Sequence, residues 1–305
     1  MNQISKINLI STLIFLLITC CETENEDHAN IKQLTIDGNI RLCDVKNNKI
    51  VASRDDDIWV FNISNRSWKQ LTNDSDGEDF QDNYPSFSPS ADSVVFSRNY
   101  RQIWKASVDG NYLSQLPINH WGISDLKWSP TGKYILISSK GRGTSSESDS
   151  LYLYSIWQDS LIILGSRLSF GAVLESTNEI KRYTDIVWNP DGTHLIFCDQ
   201  DMLRQYSISD HSIQDITYLG QKGSCFEYHN FRISPDGHKY AFIFYYDTGA
   251  DGWDSTFVYT DDSFSKYELP SIAAHNWNVN WLNNSHVTCV SLHEVWSINI
   301  DDYVK

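Results

Sequence analysis

Short apolar runs alternate with clusters of turn-forming residues along most of the chain, and the alternation recurs. Five segments share one pattern: YPSFSPSADSVVFS (84–97), DLKWSPTGKYILIS (125–138), DIVWNPDGTHLIFC (185–198), NFRISPDGHKYAFI (230–243) and NVNWLNNSHVTCVS (278–291). IRLCDVKNNKIVAS (40–53) is a degenerate sixth. Each predicts a strand, a tight reversal and a second strand. In Ser-Pro-Asp-Gly and its relatives, Pro presets φ, Asp bonds nearby backbone, and Gly accepts the positive φ of a tight turn. Residues 57–72, 102–116 and 151–164 each read as a further hairpin. The predicted unit is therefore a four-stranded antiparallel sheet.

The residues just before the turns are Cys43, Phe87, Trp128, Trp188, Ile233 and Trp281, spaced 44, 41, 60, 45 and 48 apart. Propeller blades repeat at about 40–50 residues. The long interval contains residues 165–182, which lack the strand-turn-strand pattern, so the count is six. After the hairpin ending at Ile300 only five residues remain, too few for an outer strand. Residues 31–37 (IKQLTID) repeat 68–74 (WKQLTND), which predicts that 31–37 supplies the outer strand of the last blade. The expected fold is all-β: a six-bladed propeller of four-stranded blades, closed by an N-terminal strand.

The Lys-Gln-Leu-Thr outer strands and Ser-Pro-Asp-Gly turns resemble the TolB-type propeller repeat across residues 31–305. Related propellers serve as partner-binding lipoprotein accessories, as domains gating peptidases and as polysaccharide lyases, so the resemblance implies a fold and leaves the activity open. No counterpart of the amino-terminal domain of TolB is expected here. Its contact with a peptidoglycan-associated lipoprotein is not carried over.

Before the repeats, residues 1–19 read as a signal peptide. Lys6 precedes an apolar run over 9–18 that is too short to cross a bilayer. Leu17-Ile18-Thr19-Cys20-Cys21 resembles a bacterial lipobox, which makes Cys20 the expected lipidated residue, although Thr19 departs from the usual small residue before the cut. Residues 20–30 read as a flexible acidic tether, with Glu22, Glu24, Glu26 and Asp27 in a stretch that cannot bury apolar surface. Acidic residues at this place resemble the surface-display signal of Bacteroidota lipoproteins, and a solvated linker explains them equally well. The expected location is the cell envelope, anchored by lipid to the outer membrane on its periplasmic side or at the cell surface.

Composition supports a strand-rich globular chain: aromatics are 13% of the 305 residues, with 11 Trp and 16 Tyr against two Met. A formal net charge of −15 argues against nucleic acid, whose binding needs clustered Lys and Arg. Cys43, Cys198, Cys225 and Cys289 are scattered over the repeats and are expected to be buried thiols.

The longer connections, 139–150, 165–182, 220–228 and 245–255, should lie on the face opposite the Ser-Pro-Asp-Gly turns, where binding residues usually gather. Aligned positions at the start of the innermost strands would ring the channel mouth there. The candidate binding residues are Tyr84, Trp121, Asp125, Asp185, His229, Asn230, His275, Trp277 and Asn278. Aromatic area beside Asp and Asn suits a sugar, a peptide end or a cation. Capping of strand ends by polar groups and water explains the same pattern.

No catalytic motif is complete: there is no Gly-x-Ser-x-Gly elbow, phosphate loop or Cys-x-x-Cys. His120, His229 and His275 are not at equivalent positions, so no metal or cofactor is expected. Residues 247–252 resemble a calcium loop faintly, with Gly249 in place of a ligand and Val258 in place of the closing Glu. The expected function is non-catalytic binding of an envelope protein or glycan through the loop-rich face. The alternative is a metal-assisted polysaccharide lyase or other carbohydrate-active enzyme with its site at the channel mouth.

Overall fold

A computed structural model describes residues 30–36, 38–73, 80–120, 122–139, 150–166, 186–199, 202–218, 226–246, 253–260, 266–270, 277–301 and 303–304. Residues 1–29, which hold the expected signal peptide and nearly all of the tether, lie outside that set, as does the calcium-like stretch 247–252.

After β1 (Ile31–Gln33), the strands fall into six groups. Blade one comprises β2 (Ile40–Lys46), β3 (Lys49–Arg54), β4 (Asp57–Asn62) and β5 (Ser67–Gln70). Blade two comprises β6 (Asp82–Phe87), β7 (Ser93–Arg98), β8 (Gln102–Ser107) and β9 (Leu113–Asn119). Blade three is β10 (Ile123–Trp128), β11 (Tyr134–Ser139), β12 (Ser150–Ser155) and β13 (Ser160–Ser166). Blade four is β14 (Ile186–Trp188), β15 (His194–Asp199), β16 (Met202–Ser207) and β17 (Ile213–Tyr218). Blade five is β18 (Phe226–Ile233), β19 (Lys239–Tyr246), β20 (Trp253–Thr260) and β21 (Lys266–Glu268). Blade six is β22 (Trp277–Asn283), β23 (His286–Ser291) and β24 (Glu294–Asn299), with β1 as its outer strand. Neighbouring strands within each blade pair antiparallel.

The second strand of each blade reads as a nearly continuous apolar run because both of its faces are buried. In β3, Ile50 and Ala52 face blade six, while Val51 faces blade two. The same division recurs at every junction, giving six apolar clusters among the described residues, one between each pair of neighbouring blades. Each fully buried Val, Ile, Leu or Phe contributes about 1.5–3 kcal/mol relative to exposure. The ring is thus held by contacts between blades as much as by hydrogen bonds within them.

The turn signature has a second role besides reversing the chain. Gly132, Gly192 and Gly237 all sit at positive φ, and each backs onto the proline of the preceding blade's turn. At Gly192 (φ +71°) an added Cβ would stand 2.8 Å from Cγ2 of Thr131 and 3.5 Å from Cδ of Pro130. Gly192→Ala is therefore expected to lower stability by about 1–3 kcal/mol in urea unfolding, combining strained φ with a steric clash. Gly110→Ala, with the same sign of φ but only the Lys69 side chain nearby, should lose less. The degenerate first repeat reverses differently: Asn47 and Asn48 have φ of 47° and 59°, the pattern of a two-residue type I′ hairpin.

Closure follows the matched Lys-Gln-Leu-Thr segments. β1 pairs with β24 in the register Ile31↔Ile298, Lys32↔Ser297 and Gln33↔Trp296. Beyond it, Leu34 N–H donates to the Val295 carbonyl at 2.8 Å. The Thr35 hydroxyl accepts from Val295 N–H at 2.9 Å and donates to the Glu294 carboxylate. Blade one repeats this stitch, with Thr72 accepting from Ile58 N–H and donating to Asp57. The threonine of the motif thus fastens the end of both of these outer strands. The regular strand is shorter than residues 31–37, because ladder pairing stops at Gln33, after which both Leu34 and Thr35 N–H converge on the Val295 carbonyl and side-chain bonds join them; Asp37 lies outside the described residues.

Two of the expected long connections are shorter than the sequence suggests. Residues 226–228 belong to β18, and 245–246 and 253–255 extend β19 and β20, making three strands of eight residues in blade five.

Candidate functional site

The innermost strands β2, β6, β10, β14, β18 and β22 surround the axis. Five of them carry a bulge, between Ile40 and Leu42, Asn83 and Ser86, Ile123 and Asp125, and Trp277 and Asn280 near the strand's first residues and between His229 and Arg232 past the middle of β18. A bulge adds a residue to one strand and re-aims the side chains beside it. In three blades the bulge contains a residue at positive φ: Tyr84 (54°), Asn230 (54°) and Asn278 (53°). Asn adopts this region readily, whereas a bulky Tyr does so at a cost of about 1–3 kcal/mol. Tyr84 is half-buried, with its ring edge-on to Tyr100 at 6.1 Å between centroids.

These strands enclose a cavity of about 560 Å³. Its described lining runs from Tyr84, Asp125 and Asn278 at the bulged ends to Asn47, Pro130, Pro190 and Pro235 in the turns at the other ends. The cavity therefore extends to the short-turn face, opposite the face on which the sequence places the site.

Of the candidate residues, Tyr84, Asp125 and Asn278 line the cavity together, and Asn230 is outside its lining. His229 and Trp277 lie in β18 and β22 by backbone, with side chains outside the described set. Trp121, Asp185, His275 and Cys20 fall outside the described residues entirely. His120 packs its ring against Tyr152 at 4.5 Å, on the third strand of blade three and away from the axis.

The structure adds Asp44, Lys46, Lys127, Arg232 and Asn280 to the lining. For two of them the sequence holds a signal, the period of two along a strand: Lys127 and Asn280 stand two residues after Asp125 and Asn278 and share the lining with them, whereas Arg232 lies across the bulge from Asn230, which is outside it. Lys127 forms an ion pair with Asp125, and Leu126 N–H donates to the same carboxylate at 2.9 Å.

Most of these groups stitch one blade to the next. The Asp44 carboxylate accepts Phe87 N–H at 2.9 Å, and Ser86 Oγ accepts Trp128 N–H at 3.0 Å. At the seam, Asn278 Oδ1 accepts Cys43 N–H at 3.1 Å, while Asn280 Nδ2 donates to the Cys43 carbonyl at 3.0 Å and Arg232 Nε donates to Asn280 Oδ1 at 3.2 Å. The indoles of Trp188 and Trp281 are buried between blades and donate to the carbonyls of Lys127 and Arg232. Cys43 and Cys289 are free and buried, as the sequence suggests; Cys198 and Cys225 are not described at the side-chain level. Burial, with the Asp44 charge beside it, pushes the Cys43 thiol far up, and burial pushes Cys289 up to about 12, so neither is a nucleophile at neutral pH. Among the described residues no group of three or more His, Cys, Asp or Glu side chains is placed to hold a metal ion.

No protein family and no curated protein matches the sequence. Solved structures do match in shape. TolB from Acinetobacter baumannii superposes with a TM-score of 0.53 at 14% identity, over 80% of this chain and 60% of that one. A putative TolB from Agrobacterium tumefaciens gives 0.54 at 16% identity, over 80% and 78%. A structural-genomics protein of unknown function from Bacteroides thetaiotaomicron gives 0.60 at 8% identity, over 88% and 75%. The chain thus spans about three-fifths of the length of the Acinetobacter TolB. At such identities the likeness is one of fold: this chain is a six-bladed β-propeller whose fold is similar to that of TolB.

Proposed function

We propose that this chain is a non-catalytic binding protein of the cell envelope that takes a segment of a partner protein into its central channel. One observation carries the reading: a cavity of about 560 Å³ lined by both signs of charge and by amides. Asp44, the Asp125–Lys127 ion pair, Arg232, Asn278 and Asn280 all line it. An extended peptide presents N–H and C=O groups in alternation and suits such a lining, and the volume lies in the range of built ligand sites. A glycan is the second occupant that the sequence suggests, and it would stack on aromatic faces. Of the aromatic residues in the described lining, Trp188 and Trp281 are buried between blades and Tyr84 and Trp128 are half-buried, so it is the charged and amide groups of the lining that favour the peptide.

The lipid anchor belongs to the same proposal. Cys20 carries the lipid, residues 20–30 form the tether, and the ring hangs from the outer membrane by blade six, where β1 begins. Cys20→Ser is expected to move the protein from the membrane fraction to the soluble fraction; a variant that stays with the membrane contradicts the anchor.

The channel is tested by affinity capture of the tagged chain from cells. Lys46 lines the channel and is half-buried. Lys46→Glu should reduce partner recovery at least tenfold, equivalent to about 1.4 kcal/mol, with thermal unfolding unchanged. Undiminished capture by that variant, or a stoichiometric divalent ion in the purified protein that is lost with His229→Ala and His275→Ala, contradicts the reading and points to the lyase alternative.

A further inference from the structure

The outer rim of blade three differs from the other five. A strand at the edge of a sheet offers unpaired N–H and C=O groups to any passing chain, and natural proteins guard such edges with charge or proline. Here β1 carries Lys32, β5 Lys69, β9 Pro117, β17 Asp215, and β21 Lys266 and Glu268. β13 carries neither. Its sequence is Ser-Leu-Ile-Ile-Leu-Gly-Ser, and it is the outermost strand of its sheet. Leu161, Ile162 and Ile163 are 42%, 40% and 71% exposed, and Trp157 in the turn before them is 82% exposed. Pairing with β12 is regular from Ser160 to Ile163, with a register shift beyond it, so the straight part of the edge coincides with the exposed apolar residues.

We propose that β13 is a self-association edge, pairing antiparallel with β13 of a second copy of this chain. Two observations select a second copy as the occupant. In a two-fold antiparallel pair, residues near the centre meet their own copies, so a charge there confronts a like charge and a proline withholds its donor. Among the six outer strands only β13 avoids both penalties.

The area is also sufficient. Counting about 200 Å² for each large apolar side chain, the exposed part of Trp157, Leu161, Ile162 and Ile163 is on the order of 400–500 Å² per copy. Two copies together approach the ~1,000 Å² at which specific interfaces begin. The net charge of −15 on each chain opposes the approach of two copies, so added salt should strengthen the pair rather than weaken it. Blade three lies three blades away from blade six, so pairing there leaves the closing seam and the channel free.

Sedimentation velocity of the purified full chain in mild detergent tests the proposal, with Ile163→Lys and Ile162→Lys compared at low and high salt. The wild type should sediment as a dimer that tightens as salt rises, and each variant should dissociate at least thirtyfold more readily with unchanged thermal unfolding. A monomeric wild type across the accessible concentrations, or a dimer indifferent to both variants, overturns it. So does a monomer whose Ile163→Lys form loses capture of a different protein, because the edge would then belong to that partner.

Discussion

Asp82→Ala is expected to cost about 3–5 kcal/mol of folding stability. Asp82 is fully buried, and its carboxylate receives Arg98 in a two-pronged contact, Nε to Oδ1 at 2.8 Å and a terminal nitrogen to Oδ2 at 2.7 Å. The Arg98 guanidinium lies over the rings of Phe80 and Trp104, each at 4.9 Å, so water cannot replace a missing carboxylate. Removing one partner leaves a charge in an apolar cage. Removing both does not: Asp82→Leu with Arg98→Met should recover much of the loss, since an apolar pair of similar volume substitutes for a buried ion pair at little net cost. Urea unfolding of Asp82→Ala, Arg98→Met and the double variant measures this. Equal losses in all three would mean that the pair contributes by shape alone.

Leu34→Ala should cost about 2–5 kcal/mol, more than Leu71→Ala at the matching position of blade one. Leu34 is buried at the seam, in the cluster that joins Val290 and Val295 of blade six to Ile40, Cys43 and Val45 of blade one. Leu71 is half-buried against the cluster between blades one and two, within continuous chain. Loss of Leu34 acts on the short strand that closes the last blade, so that strand should also become accessible to protease before the rest unfolds. If Leu71→Ala costs as much and the N-terminal segment is no more sensitive, the seam is not where the ring is weakest.

The blades and their closure were legible because both rest on local chemistry. Ser-Pro-Asp-Gly turns, period-two strands and the repeated Lys-Gln-Leu-Thr are each readable within about seven residues. Blade five misled for a related reason: residues 247–252 are rich in Gly and Asp, and the β-favouring aromatics Tyr245, Tyr246 and Trp253 around them were absorbed into the apparent loop.

The channel was only partly legible. Tyr84, Asp125 and Asn278 could be placed by alignment of the repeats. That Arg232 would reach Asn280 and that Asp44 would hold Phe87 N–H depend on contacts between strands more than forty residues apart. The unguarded edge of blade three was present in the sequence all along, but its meaning needed the other five outer strands beside it for comparison.

The central claim is that the channel receives a protein segment, and site-specific photo-crosslinking in living cells tests it most directly. A crosslinker placed at Lys46 or Tyr84, inside the channel, should form a discrete adduct with another protein, whereas one placed at Tyr218 on the exposed outer strand of blade four should not. Adducts of equal yield from all three positions, or none from the two channel positions, would contradict it.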